Sequence, residues 1–314
     1  MLFLLFWTVW LGGCGGADRE QQAGLRNAGI AALSQQEYEE AQQDFEEAIS
    51  LAKGRVTDAE IDLTYYLAAS FYLQGAYEDA EQCYSHLITY DKENADAFFL
   101  RGSVRLDMDE SEKGLSDYRK ATAAAKDDYE LAIAIYQNLD ALGFSGEAEP
   151  FLDAALAIEG DDAENYYYRG RIYTLLGQED LAKTAFIRAM DKGSGEAGIA
   201  LAQAYLKDGE TESAKELISR YTAEEKKDAR QSALAGRLLL DLGEYDKALA
   251  VYEEALEDEK LSQGAYRAEL LKGQVAALEY TGDFAAAKDA AASYVEAYPA
   301  DAGMVRELSF LNTR

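Results

Sequence analysis

The chain repeats itself. A small residue followed one helical turn later by a bulky apolar one recurs as Ala41/Phe45, Ala80/Tyr84, Gly114/Tyr118, Ala148/Leu152, Ala182/Phe186, Ala214/Ile218 and Ala248/Tyr252, and an eighth small residue, Ala287, is followed by Ala291. The small members are separated by 39, 34, 34, 34, 32, 34 and 39 residues. A period of this size, with a four-residue offset inside it, describes one helical supersecondary unit used eight times, each burying its apolar face by stacking on its neighbours. Only two prolines, Pro150 and Pro299, interrupt the chain, so helices are permitted almost everywhere.

Two further positions recur in register. Twelve residues before the small member stand Gly29, Ala68, Gly102, Gly170, Ala202 and Gly236, small enough for two helices to approach closely. Five residues before it stand Gly75, Gly143, Gly177, Gly209, Gly243 and Gly282, where a left-handed helix stop costs glycine little. Tyr38, Tyr77, Tyr245 and Phe284 follow two residues after that turn and are predicted to open a second helix.

This pattern resembles the tetratricopeptide repeat (TPR), a 34-residue helix-turn-helix with small residues at positions 8 and 20, a turn near 15, a large residue at 24 and often Pro near 32. Pro299 occupies position 32 of the last unit. The resemblance implies an all-α, right-handed TPR-type helical-hairpin solenoid of about eight repeats, near 22–55, 61–94, 95–128, 129–162, 163–194, 195–228, 229–262 and 268–301. Residues 302–314, with Val305, Leu308 and Leu311 along one stripe, are expected to form a capping helix, and no separate second domain is expected. The third unit departs most, with Arg101, Arg105 and Gly114 where apolar residues or Ala are usual.

At the N-terminus an apolar run from Leu2 leads into Leu11, Gly12, Gly13 and Cys14. This resembles the signal peptide and lipobox of bacterial lipoproteins, although no Lys or Arg precedes the run. The run is too short to span a bilayer. The resemblance implies a cleaved segment 1–13, a lipid on Cys14, a short tether over 14–21, and a location on the extracytoplasmic face of the cell membrane or envelope. Cys83 would then be the one remaining thiol, and the fold would need no disulfide.

Net charge is −29, from 30 basic and 59 acidic residues spread along the chain. Such a surface repels phosphate backbones, so nucleic acid is not an expected partner. Nor is catalysis expected: His86 is the single histidine, and the sequence holds no phosphate-cradling loop, nucleophile elbow or metal-ligand spacing, so no metal or cofactor is expected either. His86 and Cys83 are read as packing or surface residues of a helix.

In the TPR family, positions 2, 5, 9 and 12 of each first helix face a groove that takes partner segments. Carried onto this chain, that implies a candidate partner-binding strip of Tyr65, Tyr72, Phe99 and Tyr167 with Arg171 and Arg237 beside it. The Lys and Asn with which some TPR domains clamp a chaperone's C-terminal carboxylate are absent, since Arg26, Ile30, Tyr65 and Ala69 hold those positions. The expected role is a membrane-anchored protein-protein interaction scaffold or adaptor, of the kind that serves envelope, pilus or secretion assembly. A cell-wall or polysaccharide binding or processing protein, using groove tyrosines as sugar platforms and carboxylates as acids, and a self-associating structural protein are the alternatives.

Overall fold

The structure, a computed structural model, describes residues 14–223, 228–258 and 266–314, with residues 14–17 described by their backbone alone. The expected leader, residues 1–13, lies outside them. Seventeen helices and no strand occur among the described residues. They fall into two compact units that divide after Lys126, where a single uninterrupted array was expected.

The first unit holds α1 (Cys14–Ser34), α2 (Tyr38–Ser50), α3 (Asp58–Gln74), α4 (Tyr77–Tyr90), α5 (Ala95–Asp107) and α6 (Ser111–Ala124). These are three hairpins, each a first (A) helix and a returning (B) helix. The second unit holds α7 (Tyr129–Ala141), α8 (Ser145–Leu156), α9 (Ala163–Leu175), α10 (Glu179–Asp191), α11 (Glu196–Lys207), α12 (Thr211–Thr222), α13 (Ala229–Asp241) and α14 (Tyr245–Glu257). It continues with α15 (Arg267–Thr281), α16 (Phe284–Ala297) and α17 (Ala302–Leu311). Tyr38, Tyr77, Tyr245 and Phe284 each open a B helix, as the spacing predicts.

The core follows the period. In four hairpins the position-24 ring lies on the position-8 glycine of its own hairpin: a Cβ on Gly29, Gly102, Gly170 or Gly236 would fall 2.4–2.7 Å from Phe45, Tyr118, Phe186 or Tyr252. The glycine is thus the socket and the ring the knob, and Ala41, Ala182 and Ala248 are fully buried beside them. All eight hairpin turns use a left-handed residue. Six are the glycines named above; in the first and third hairpins Gln36 (φ 63) and Asp109 (φ 61) take the same conformation against their side-chain preference.

Start signals are local. Asn94, Asp128, Asp162 and Asp228 cap α5, α7, α9 and α13 by accepting from the third backbone N–H of each helix, and Thr57 with Glu60 forms a capping box on α3.

Two expectations need correction. Residues 14–21, expected as a tether, are the first turns of α1, and Asp18 accepts from Lys53 at 3.0 Å while Gln22 donates to Glu60 at 2.8 Å. On the capping helix α17 the stripe facing the last hairpin is Met304, Leu308 and Leu311; Val305 points outward, because a 304/308/311 spacing follows one face whereas 305 lies about 100° around from 304.

Candidate functional site

In the first unit the expected groove rings are engaged within their own hairpin or with the next one. Tyr65 of α3 is half-buried; its hydroxyl donates to the Asn94 side chain at 2.8 Å, and its ring lies 6.2 Å from that of Tyr84. Phe99 of α5, also half-buried, stacks on Tyr118 at 5.5 Å. Tyr72 is the exposed member, and its hydroxyl donates to Asp107 of the next A helix at 2.7 Å. Burial and that carboxylate push its phenol up to about 12. On the same side Arg26 of α1 donates to Asp62 of α3 at 2.6 Å. These bonds span 29 to 36 residues, about one repeat, so the polar side chains stitch one A helix to the next.

The irregular third hairpin has its own explanation. Asp117 of α6 is fully buried, and its carboxylate accepts two bonds from Arg101 at 2.8 and 3.0 Å and one from Arg105 at 2.6 Å. Arg105 also reaches Glu81, and Arg101 donates to Ser85 at 3.0 Å. The two arginines that break the apolar pattern therefore form a charged knot joining α4, α5 and α6. Gly114 is required there, since a Cβ would lie 2.9 Å from the Gly102 carbonyl oxygen.

In the second unit Tyr167 is buried at 5 % exposure, wedged between Tyr168 at 5.4 Å and Phe186 at 6.2 Å. It is a core residue, not a face of the groove. Its neighbour Tyr168 instead stacks on Tyr129 at 5.0 Å, and Arg171 lies 5.3 Å from that ring and 3.5 Å from Glu130.

The second unit also holds a cleft of about 510 Å³ on its A-helix side, lined from α11, α13 and α15 and floored by Tyr252 of α14. Tyr252 is reached because Gly236 and Gly273 flank it: a Cβ on either would fall 2.4 and 2.2 Å from the ring. The walls carry Arg230, Leu234 and Arg237 from α13 and Glu269 and Lys272 from α15. Those α13 residues stand at positions 2, 6 and 9 of their repeat. Arg237 was singled out from the sequence and is exposed; Arg230, half-buried, was not, although position 2 of the seventh repeat names it. Lys272 is engaged with Asp301 at 2.6 Å. The cleft thus sets the Tyr252 ring beneath a rim of four charged side chains, Arg230, Arg237, Glu269 and Lys272.

Cys14 begins α1, and the structure describes nothing of its side chain. Cys83 is buried in α4, and burial pushes its thiol up to about 11, so it is held as an unreactive thiol at neutral pH. His86 is exposed beside a small apolar hollow with Val56 and Tyr90. Among the described residues no cluster of His, Cys, Asp and Glu could hold a metal ion, and no helix is long and apolar enough to cross a membrane.

Repeat family models agree with this architecture over part of the chain. The family model described as tetratricopeptide repeat matches residues 26–89 and 233–302, and that of the anaphase-promoting complex, cyclosome, subunit 3 matches residues 184–255. No curated protein matches the chain. Among solved structures, the chain is similar to a tetratricopeptide repeat protein from Parabacteroides merdae at 18% identity, covering 81% of this chain and 99% of that one with a TM-score of 0.45. It is similar to PilW, a type IV pilus biogenesis factor, at 18% identity over 69% of this chain and 99% of that one, TM-score 0.38. MamA aligns at 17% identity over 57% of this chain and 95% of that one, TM-score 0.36.

Proposed function

We propose that this chain, built of tetratricopeptide-type helical hairpins, is a scaffold fixed to the extracytoplasmic face of a bacterial membrane by a lipid on Cys14, holding segments of partner proteins against its A helices. The observation that carries the binding half is the cleft on α11, α13 and α15, floored by the Tyr252 ring and walled by Arg230, Leu234 and Arg237 on the A-helix side. The anchoring half is supported by the sequence Leu11-Gly12-Gly13-Cys14 after an apolar run.

The mechanism is binding plus confinement. Each buried acyl methylene contributes roughly 0.8 kcal/mol, so two or three chains hold the protein firmly on the bilayer surface. A receptor held there meets membrane-bound partners at raised effective concentration without any new contact. Assembly of envelope, pilus or secretion machinery is the setting such a tethered scaffold suits.

Two measurements on the full-length protein test the two halves. Detergent phase partition with fatty-acid labelling should place the protein in the detergent phase and Cys14→Ser in the aqueous phase; a wild-type protein in the aqueous phase overturns the anchor. A photo-crosslinking residue at Leu234 should give discrete protein adducts in cells, whereas one at the exposed Ile187 of α10 should not. Absence of adducts at Leu234 overturns the scaffold reading.

A further inference from the structure

We infer that the cleft on α11, α13 and α15 selects an acidic protein segment, whose carboxylates pair with Arg230 and Arg237 while an apolar side chain between them rests on Leu234 and the Ala233 surface. This deepens the scaffold reading and rests on it.

The charge inventory points to that ligand. The chain offers 59 acidic side chains to 30 basic ones, so a cleft that presents two arginines stands out on a predominantly acidic surface. Several cations of the A helices have a carboxylate, Arg26 with Asp62, Arg101 and Arg105 with Asp117, Arg171 with Glu130, and Lys272 with Asp301, while Arg169 of α9 donates instead to the Ile158 carbonyl at 2.7 Å. Arg230 and Arg237 share one cleft. Among the described residues no carboxylate lies within ion-pair distance of either, although Glu269 lines the same cleft.

Arg230 is moreover half-buried, which disfavours a guanidinium without a counter-charge. The field of Tyr167, Tyr266 and the more distant Glu196 and Glu130 outweighs that burial and holds the guanidinium above its ordinary value, with neither glutamate in ion-pair contact. An incoming carboxylate would pair with half-buried Arg230, where a charge-assisted bond is less screened than at a fully exposed cation.

Geometry favours a segment over a single small anion. Arg230 and Arg237 stand seven residues apart on α13, about 10 Å along one helix face at 1.5 Å per residue. Ala233 and Leu234 lie between them, giving two cationic points with an apolar step in the middle. Nucleic acid fits poorly, because a long polyanion on these two arginines would have to approach a chain of net charge −29. A short acidic segment brings only the charges that the cleft can pair.

The test uses the full-length protein and three labelled peptides read by fluorescence anisotropy: glutamates spaced around a leucine, the same peptide with glutamine, and the same with lysine. The glutamate peptide should bind more tightly than the glutamine peptide by about tenfold or more, weaken with added salt, and lose that advantage in Arg230→Glu/Arg237→Glu. The Arg230→Lys/Arg237→Lys variant should retain most of the affinity, which separates lost charge from lost folding. Tyr65→Ala/Phe99→Ala, in the other unit, should leave binding unchanged. Equal binding of the glutamate and glutamine peptides would overturn the acidic preference while leaving segment capture standing. Binding of none of the three would remove segment capture at this cleft and the inference with it.

Discussion

Replacing Asp117 with alanine should destabilise the first unit by about 3 kcal/mol, the low end of what removing one partner of a buried ion pair costs. Asp117 is fully buried, and its two arginine partners are 11% and 16% exposed, so neither guanidinium can simply rehydrate in place. The carboxylate accepts three bonds of 2.6–3.0 Å from Arg101 and Arg105. Lys120, at 3.3 Å and half in solvent, adds little. The low end applies because Arg105 keeps Glu81 and Arg101 keeps Ser85 after the substitution. Repeat arrays lose stability locally, so urea unfolding should be read with amide hydrogen exchange, and protection should fall first in α4, α5 and α6. The triple variant Arg101→Leu/Arg105→Leu/Asp117→Ala restores an apolar pattern and should be close to wild type, because desolvation of the knot is removed together with its attraction. An Asp117→Ala loss below about 1 kcal/mol, with unchanged exchange in α4 to α6, would refute the assignment of the knot as a structural pin.

Other perturbations probe other parts of the fold. Gly236→Ala should destabilise by about 1–2 kcal/mol despite a helix-propensity gain of about 1 kcal/mol, because the Tyr252 ring is held between Gly236 and Gly273 and cannot retreat. Gly24→Ala, with open space around it, should stabilise by up to about 1 kcal/mol; thermal unfolding gives both signs. Gln36→Gly should raise stability by roughly 0.5–1 kcal/mol, since relief of a left-handed side chain exceeds the added chain entropy, and denaturant midpoints measure it. Asp301 is held well below the ordinary carboxylate range by Lys272, the Met304 amide and the Tyr294 hydroxyl. A lowered folded value means stability present above the unfolded value near pH 4 and lost as pH falls toward the folded one. Exchange protection of α17 should therefore drop in acid below about pH 4, and Asp301→Asn should abolish that dependence.

The hairpins were legible because their determinants are short-range: a four-residue offset fixes one helix face, and a glycine five residues upstream fixes the stop. The turns at Gln36 and Asp109 were not, because closing the hairpin imposes the left-handed state whatever residue stands there. Arg101 and Arg105 looked like defects of the repeat, since their counter-charge lies 16 and 12 residues away on another helix, where one more aspartate is unremarkable. Tyr167 was misplaced for a related reason. Position 5 lies where an A helix meets both groove and neighbour, and in α9 the adjacent Tyr168 takes the outer place by stacking on Tyr129, leaving Tyr167 inside. The cleft was half legible: Arg237 came from its repeat position, whereas the absence of an ion-pair partner for it or for Arg230 among the described residues is a property of the assembled side chains.

That difference between matched and unmatched cations separates stability from binding. Arg26→Ala breaks an ion pair whose members are 37% and 42% exposed, so it should cost no more than about 1 kcal/mol and should leave capture at α13 untouched. Arg237→Ala removes an exposed guanidinium with no ion-pair partner among the described residues, so stability should change by less than about 0.5 kcal/mol. Affinity for the glutamate peptide should nevertheless fall severalfold, because the lost contact exists only in the complex. Measured side by side, the two substitutions should move different quantities: unfolding midpoint for Arg26, anisotropy midpoint for Arg237. If Arg237→Ala lowered the unfolding midpoint as much as Arg26→Ala, that arginine would be part of the scaffold's own packing, and the cleft would have lost one of the two cations on which its selectivity rests.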